Sequence, residues 1–567
     1  MSDTARTPFS DPNDLPAPGD APPRLSRRLV LGAAAAAGAA PLVAPGSAAG
    51  HAAVSAAAHA PAKAAAPTPP GPPQLIDPAF ELSPPERPLA PWERRPLPGA
   101  DARRLAPKAA SRPDDSAAPS SRLAASSLPF TFAVHDFPVR EVPLELWPYY
   151  RTRAVPVTDT GTHDSAGVRM SLRNGRLYNH PVAQAQYGLA LLESYRITGN
   201  TVFLDRARQH GQRLWDTRVV RSNAWFYPYP FSFQLHGTAE VYNPPWYSMM
   251  AQGQVLSFFT RLQAVTGNAN WATAAHNTFN SFKLGPAVRQ PWGVYVVGGR
   301  LVLEEYPDPT RIHGDVTYNG HNFAAYGLHD YWSWTKNADA LLLLQGAMTT
   351  TRDWSGSYRI SGFRSKYCLT HATDSGHYHD IHIDQFAHLY AITGDAVFAR
   401  TIDTYYNDSP PSAVAGTVRL AAGGHTGCKF DSKGRVTSTK LLRLNSPSSA
   451  PSTYREKIWS QPGLWYSISA GGLSGYKVQE KPPTRYQLGR FAGVSYLVNR
   501  SARIAYNAPK AYVVDAAGSS TSEVTTYRAG DTVLIDSRAA LNASQHVRLA
   551  DGPYVGKWLP LPAITFS

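Results

Sequence analysis

A chain of 567 residues with 43% hydrophobic content, a net charge of +14 and two cysteines is long enough to bury more than one core. These values exclude a disulfide-stapled miniature and a cysteine-rich zinc module. They also exclude a multi-span membrane protein, because no stretch beyond the first 50 or so residues is apolar for long enough to cross a bilayer.

Ser26-Arg27-Arg28-Leu29-Val30-Leu31 is a twin-arginine signature, followed by an Ala- and Gly-rich run to Val43 and small residues that offer cleavage sites. Residues 1–50 therefore read as a Tat-type export signal, and the protein as secreted or cell-wall associated. Residues 51–127 are dominated by Ala, Pro and Ser and lack periodicity, which fits a disordered tether. The first 130 residues hold 13 Lys and Arg against 11 Asp and Glu, so most of the positive charge lies in the folded part. An exported basic protein suggests an anionic polymer as partner. No nucleic-acid module is visible. Cys368 and Cys428 either form one disulfide or never meet, and both alternatives stay open.

From 128 to 410 a local pattern recurs. Ile197-Thr198-Gly199-Asn200, Val265-Thr266-Gly267-Asn268, the looser Trp334-Thr335-Lys336-Asn337 and Ile392-Thr393-Gly394-Asp395 each follow an apolar stretch, at a period of about 60–70 residues. An apolar helix ends at a residue in the left-handed conformation, and Asn or Asp caps the next helix. Four helical hairpins follow. Their upstream helices, near Ala183–Ile197, Trp246–Val265, Asn322–Thr335 and His379–Ile392, are the more apolar and should lie inside. The expected fold is mainly α: an incomplete α/α toroid of helical hairpins with inserted β-hairpins. Strand-like runs with Gly and Asn/Asp turns begin after 410. They suggest a β-rich extension over 411–504 and a small SH3-like β domain over 505–567, expected to be a packing module.

Aromatic and imidazole groups precede each inner helix: Tyr178 and His180; Trp246; Tyr318, Asn319 and His321; Tyr378, His379 and His382. Equivalent positions in parallel helices fall at one end of the bundle, which fits a carbohydrate cleft. Leu301-Val302-Leu303-Glu304-Glu305-Tyr306-Pro307 leads into the third inner helix at that end, and puts two carboxylates and a phenol there.

These stretches resemble motifs of D-glucuronyl C5-epimerases of the heparan sulfate and heparosan type. Trp246-Tyr247-Ser248-Met249-Met250-Ala251-Gln252-Gly253 is similar to their W-x-S-x-M-A-Q-G, Glu304-Glu305-Tyr306-Pro307 to E-E-Y-P, and Ala185-Gln186-Tyr187-Gly188-Leu189 to A-Q-Y-G-L. Tyr318–Asp330 and His377–Gln385 follow in family order. Leu303, His321 and Asp384 depart from the family pattern. The resemblance implies an isomerase that inverts C5 of D-glucuronate within a polymer to give L-iduronate, with no cofactor. One group must take the C5 proton, donors must hold the enolate-like dianion, and a second group must return a proton on the other face. By the resemblance Glu305 and Tyr306 match a catalytic pair, Tyr378 the opposite-face acid/base, and Tyr358 a further tyrosine. Tyr178, His180, Gln186, Trp246, Gln252, Tyr318, Asn319, His321, His379 and His382 are nominated for substrate binding. A cation, Arg311, Arg359, Arg364 or Lys366, is expected to pair with the substrate carboxylate and depress the tyrosine pKa. The imidazoles of 377–382 look ligand-rich, but no HExxH occurs and no metal is expected. A uronate lyase and a non-catalytic cell-surface glycan binder are the alternatives, and a homodimer is compatible with the sequence.

Overall fold

The computed structural model describes Arg122–Leu123 and residues 128–567, less 236–239, 309, 311, 377, 412, 482–483, 491–492, 515–519 and 542–543. The segments expected to be an export signal and, but for Arg122–Leu123, a tether lie outside the described residues, as do Arg311 and His377.

Among the described residues, eight α-helices form four hairpins: α1 (Pro181–Thr198) with α2 (Thr201–Thr217), α3 (Met249–Thr266) with α4 (Ala269–Asn280), α5 (Tyr318–Thr335) with α6 (Ala338–Tyr358), and α7 (Tyr378–Thr393) with α8 (Ala396–Asp408). The punctuation works as the sequence indicates. Gly199, Gly267, Lys336 and Gly394 carry φ of 70°, 67°, 56° and 70°. The side chains of Asn200, Asn268, Asn337 and Asp395 then accept from the backbone N–H of Val202, Asn270, Ala340 and Val397. Lys336 shows that the left-handed turn needs no glycine when the rest of the cap is intact.

The upstream helix of each pair is buried nearly all round, and the downstream helices α2, α4 and α8 are amphipathic. The inner helices touch in order, α1 on α3, α3 on α5 and α5 on α7. The α3–α5 crossing is the tightest. A Cβ on Gly253 would lie 2.4 Å from Ala324 Cα, and one on Gly327 would lie 2.3 Å from the Gly253 carbonyl oxygen. Two helices can approach so closely only where both lack a side chain.

Three of the inserted hairpins matter for the site: β1 (Met170–Arg173) with β2 (Arg176–Asn179), the short pair Phe233–Gln234 and Val241–Tyr242, and β3 (Val294–Val297) with β4 (Arg300–Leu303). Leu303 ends β4 with its N–H on His321 Nδ1, 3.0 Å away, and this aims the next residues, Glu304 to Tyr306, at the start of α5.

The C-terminal region departs from expectation. It contains two seven-stranded sheets, and their boundary falls near 491 rather than at 504/505. The first holds β5 (Ala413–Leu420), β6 (Gly423–Phe430), β7 (Val436–Leu444), β8 (Ser448–Glu456), β9 (Trp465–Ile468), β10 (Lys477–Gln479) and β11 (Arg485–Arg490). The second holds β12 (Gly493–Ile504), β13 (Lys510–Val514), β14 (Ser520–Val524), β15 (Thr532–Leu541), β16 (Ser544–Leu549), β17 (Trp558–Pro560) and β18 (Ile564–Phe566). The strand orders are 7-6-10-9-8-5-11 and 14-13-17-16-15-12-18, so adding seven to each strand of the first sheet gives the second. The turns match too. Gly471 and Gly475 have φ of 83° and 78°; Gly552 and Gly556, each 81 residues further on, have 73° and 80°. Gly475 N–H bonds Ile468 O as Gly556 N–H bonds Leu549 O. The region is a tandem repeat of one β unit.

The second copy packs on the helices. Asp403 of α8 accepts from Tyr496 Oη (2.7 Å), Arg500 Nη1 (2.6 Å) and Arg538 Nη1 (3.0 Å), and its apolar side chains belong to the main core. The first copy has a small core of its own around Val418, Tyr466 and Val478. Both cysteines are free thiols, Cys368 in the helical part and Cys428 in the first β unit. The disulfide alternative is therefore not realised.

Candidate active site

Glu304 and Glu305 are both buried, at 0% and 1% exposure, but their surroundings differ. Glu304 accepts hydrogen bonds from Tyr306 N–H (3.0 Å), Val316 N–H (2.8 Å) and Tyr295 Oη (3.2 Å). It braces the turn. Glu305 is less satisfied. Its Oε1 has no hydrogen-bond partner, and Oε2 lies 3.5 Å from Tyr367 Oη. Burial, with the Glu304 and Asp315 charges nearby, raises Glu305 to about 8, although hydrogen bonds from Tyr306 and Tyr367 oppose the shift. Burial and Asp315 raise Glu304 to about 7. A buried carboxylate poised near neutrality with an open oxygen can accept a proton.

Tyrosines line this carboxyl group. Tyr306 Oη and Tyr367 Oη are 3.2 Å apart, and the Tyr367 and Tyr378 rings meet edge-on at 4.9 Å. Tyr378 opens α7 and is half-buried, whereas Tyr306 and Tyr367 are buried. Burial and the Glu305 charge push the Tyr306 and Tyr367 hydroxyls well above 10. Both are protonated donors at neutral pH.

The cation at this cluster is Arg173, which the sequence reading missed. It ends β1 with its guanidinium 4.0 Å from the Phe231 ring centre, and its charge is felt by Tyr229 and Tyr306. Its Nε is buried without a partner, and burial lowers its pKa. Three of the four nominated cations are committed elsewhere, and Arg311 lies outside the described residues. Arg359 pairs with Asp408 (2.6 Å), Arg364 with Asp374, and Lys366 Nζ donates to Ser357 O.

The other nominated residues make the following contacts. Tyr358 stacks on Tyr318 at 3.9 Å and donates to Val316 O, so both rings are packing pieces behind Glu304. The tyrosine that joins Glu305 is Tyr367. It comes from an irregular segment without periodic signal and is held by Tyr318 N–H on its carbonyl and by its own N–H on Thr373 O. Gln252 is satisfied three times, by Tyr227 N–H, Trp225 O and Ser281 Oγ, inside the core. His321 spans Leu303 N–H and Ala347 O, and His379 spans Ser365 N–H and the carbonyls of Tyr405 and Ser409. Burial holds both at about 4, as neutral spacers. His180 caps α1 by accepting from Ala183 N–H. Trp246 donates to Phe231 O and stacks on Tyr229 at 3.8 Å. With Phe231, Phe233 and Tyr242 these rings wall the side of Tyr306, and Tyr178 packs on Phe231. Gln186, Asn319 and His382 Nε2 stay buried with unpartnered polar atoms. They mark a polar interior between the inner helices.

No helix of the described residues is long and apolar enough to cross a membrane. Among solved structures, the chain is similar to cellobiose 2-epimerase from Bacillus thermoamylovorans, with 14% identity over 43% of this chain and 64% of that one and a TM-score of 0.32. It is also similar to a GH76 α-mannanase from Bacteroides thetaiotaomicron, with 10% identity, 43% and 62% coverage and a TM-score of 0.31. A D-mannose isomerase matches with 13% identity, 44% and 62% coverage and a TM-score of 0.28. The chain thus spans about three fifths of the structures it matches. No curated protein sequence matches it. One family does match, over residues 221–407 and with Trp246, Glu305, Tyr306, Tyr367 and Tyr378 all inside the match. That family is the D-glucuronyl C5-epimerase C-terminus, and its model matches residues 221–407, about a third of the chain.

Proposed function

We propose that the protein is a uronosyl C5-epimerase that converts D-glucuronate to L-iduronate within an anionic polysaccharide, on four hairpins arranged as an incomplete α/α toroid. The observation that carries this reading is the buried, half-satisfied Glu305 set among Tyr306, Tyr367 and Tyr378 with Arg173 alongside. Ionised Glu305 takes the C5 proton, whose acidity comes from the adjacent carboxylate. Arg173 pairs with that carboxylate, and the Tyr306 and Tyr367 hydroxyls donate to the dianion as charge builds. Tyr378, the most exposed of the three, returns a proton from the opposite face. The same groups run the reverse reaction with roles exchanged.

Charge supports a polyanionic substrate. Residues 413–490 carry twelve Lys and Arg against three Asp and Glu, whereas 493–566 carry seven against five. The first β unit therefore holds most of the net +14 and serves as the electrostatic landing surface. The twin-arginine motif supports export, where such polymers lie.

The test is incubation with desulfated heparosan in D2O, followed by proton NMR. Deuterium at C5 with iduronate signals is the expected result. Glu305→Gln should lower exchange by about 10²–10⁴-fold. An ultraviolet-absorbing unsaturated product would replace this reading with a lyase, and binding without exchange would replace it with a glycan-binding protein.

A further inference from the structure

Asp315, Cys368 and His371 lie beside the Glu304–Glu305 turn, outside the proton-transfer cluster. Their ligand atoms, a carboxylate oxygen, Sγ and Nδ1, all fall within 4.8 Å of one another. His371 Nδ1 is 3.2 Å from Asp315 Oδ1 and 3.7 Å from Cys368 Sγ. Ligands about 2.0–2.3 Å from a tetrahedral zinc ion sit about 3.3–3.7 Å from each other, so the two distances from His371 are close to those of a shared centre.

Backbone bonds set two of these groups side by side. Cys368 bridges Thr317, Leu369 N–H bonds Val316 O, and Thr370 N–H bonds Asp315 O. Asp315 is wholly buried, its Oδ1 faces the His371 imidazole at 3.2 Å, and beyond that contact neither carboxylate oxygen has a hydrogen-bond partner. A carboxylate so placed calls for a cation. The other nitrogen of His371 lies 3.3 Å from Glu240 Oε2. That is the outer-carboxylate arrangement that fixes a ligating imidazole with Nδ1 facing the metal.

We propose that Asp315, Cys368 and His371 form a zinc-class metal site with one open position, which positions the turn behind Glu305 and takes no part in proton transfer. Mixed O, N and S donors select Zn²⁺ or Co²⁺ over Mg²⁺ or Ca²⁺. The competing occupant is a proton: Asp315 and Cys368 push His371 up to about 10, so an imidazolium can balance the same charge.

Cobalt separates the two. The full chain, stripped with chelator and checked for fold by circular dichroism, is titrated with Co²⁺. One equivalent should give a thiolate-to-cobalt charge-transfer band that Zn²⁺ displaces. Cys368→Ser should abolish the band, His371→Ala should weaken binding at least tenfold, and Cys428→Ser should leave both unchanged. In the unmodified chain, Zn²⁺ should also protect Cys368 from alkylation, read by peptide mass spectrometry, which needs no variant to fold. A folded chain with no charge-transfer band, a band that survives Cys368→Ser, or Cys368 alkylated at the same rate with and without Zn²⁺ would overturn the proposal and leave an ion pair.

Discussion

Gly320→Ala tests the placement of Glu305. Gly320 is the third residue of α5, and a Cβ there would lie 2.2 Å from Glu305 Oε2 and 2.6 Å from its Cδ and Cβ. Ordinary contact begins near 3.4 Å, so the carboxylate must retreat by a little over 1 Å. The stability terms nearly offset. Alanine gains about 0.8–1 kcal/mol of helix propensity over glycine, and overpacking costs about 1–3 kcal/mol. The net loss should be about 0–2 kcal/mol. Activity has no such offset, because a displacement near 1 Å costs about 100-fold, or ~2.7 kcal/mol of transition-state stabilisation. The assay pairs urea unfolding with C5 deuterium exchange on the same preparation. A variant that exchanges at the wild-type rate would show that Glu305 does not work from this position. One that loses more than about 3 kcal/mol of stability would show that Gly320 serves packing first.

Gly253→Ala, which drives a Cβ into Ala324 backbone, should destabilise by about 1–3 kcal/mol in urea, whereas Gly356→Ala, with nothing within 4 Å, should stabilise by about 0.5–1 kcal/mol. Because Glu305 must be ionised to act and is raised to about 8, kcat/KM should climb with pH through that value. Stability runs the other way. Folded Glu305 binds a proton that the unfolded chain releases near 4.5, so stability falls as pH rises from about 4.5 to about 8, and Glu305→Gln should flatten that slope in pH-dependent melts. Asp403→Ala strands the buried Arg500 and Arg538 and should cost about 3–5 kcal/mol, seen as early loss of the second β unit in hydrogen exchange.

Much of the helical fold was legible because its signals are local. A left-handed residue followed by Asn or Asp ends one helix and starts the next, and this grammar places four hairpins whatever the distant contacts are. Glu305 and Tyr306, nominated by resemblance, fall together in one buried cluster. The misses share a different cause. Tyr367 and Arg173 reach the site from an irregular segment and a hairpin end, where no periodicity says which way a side chain points. Gln252, His321 and Tyr358 carry suggestive chemistry, but hydrogen bonds to backbone use it up, and such pairing over long separations leaves no mark on composition. The β repeat was hidden because strand order is conserved between the copies while most side chains are not.

That repeat divides labour between two copies of one design. The copy anchored through Asp403 is bound to compatibility with α8, and each change at its contacting face is tested against the helical core. Its sister keeps the same strand plan and has its own small core around Tyr466. It meets the helical part through Trp459 on Phe363 and Glu456 near Arg364, and it carries twelve Lys and Arg against three Asp and Glu. One strand plan thus serves as a foundation in one copy and as a cationic face in the other, and charges on that face can be changed without touching the Glu305 cluster.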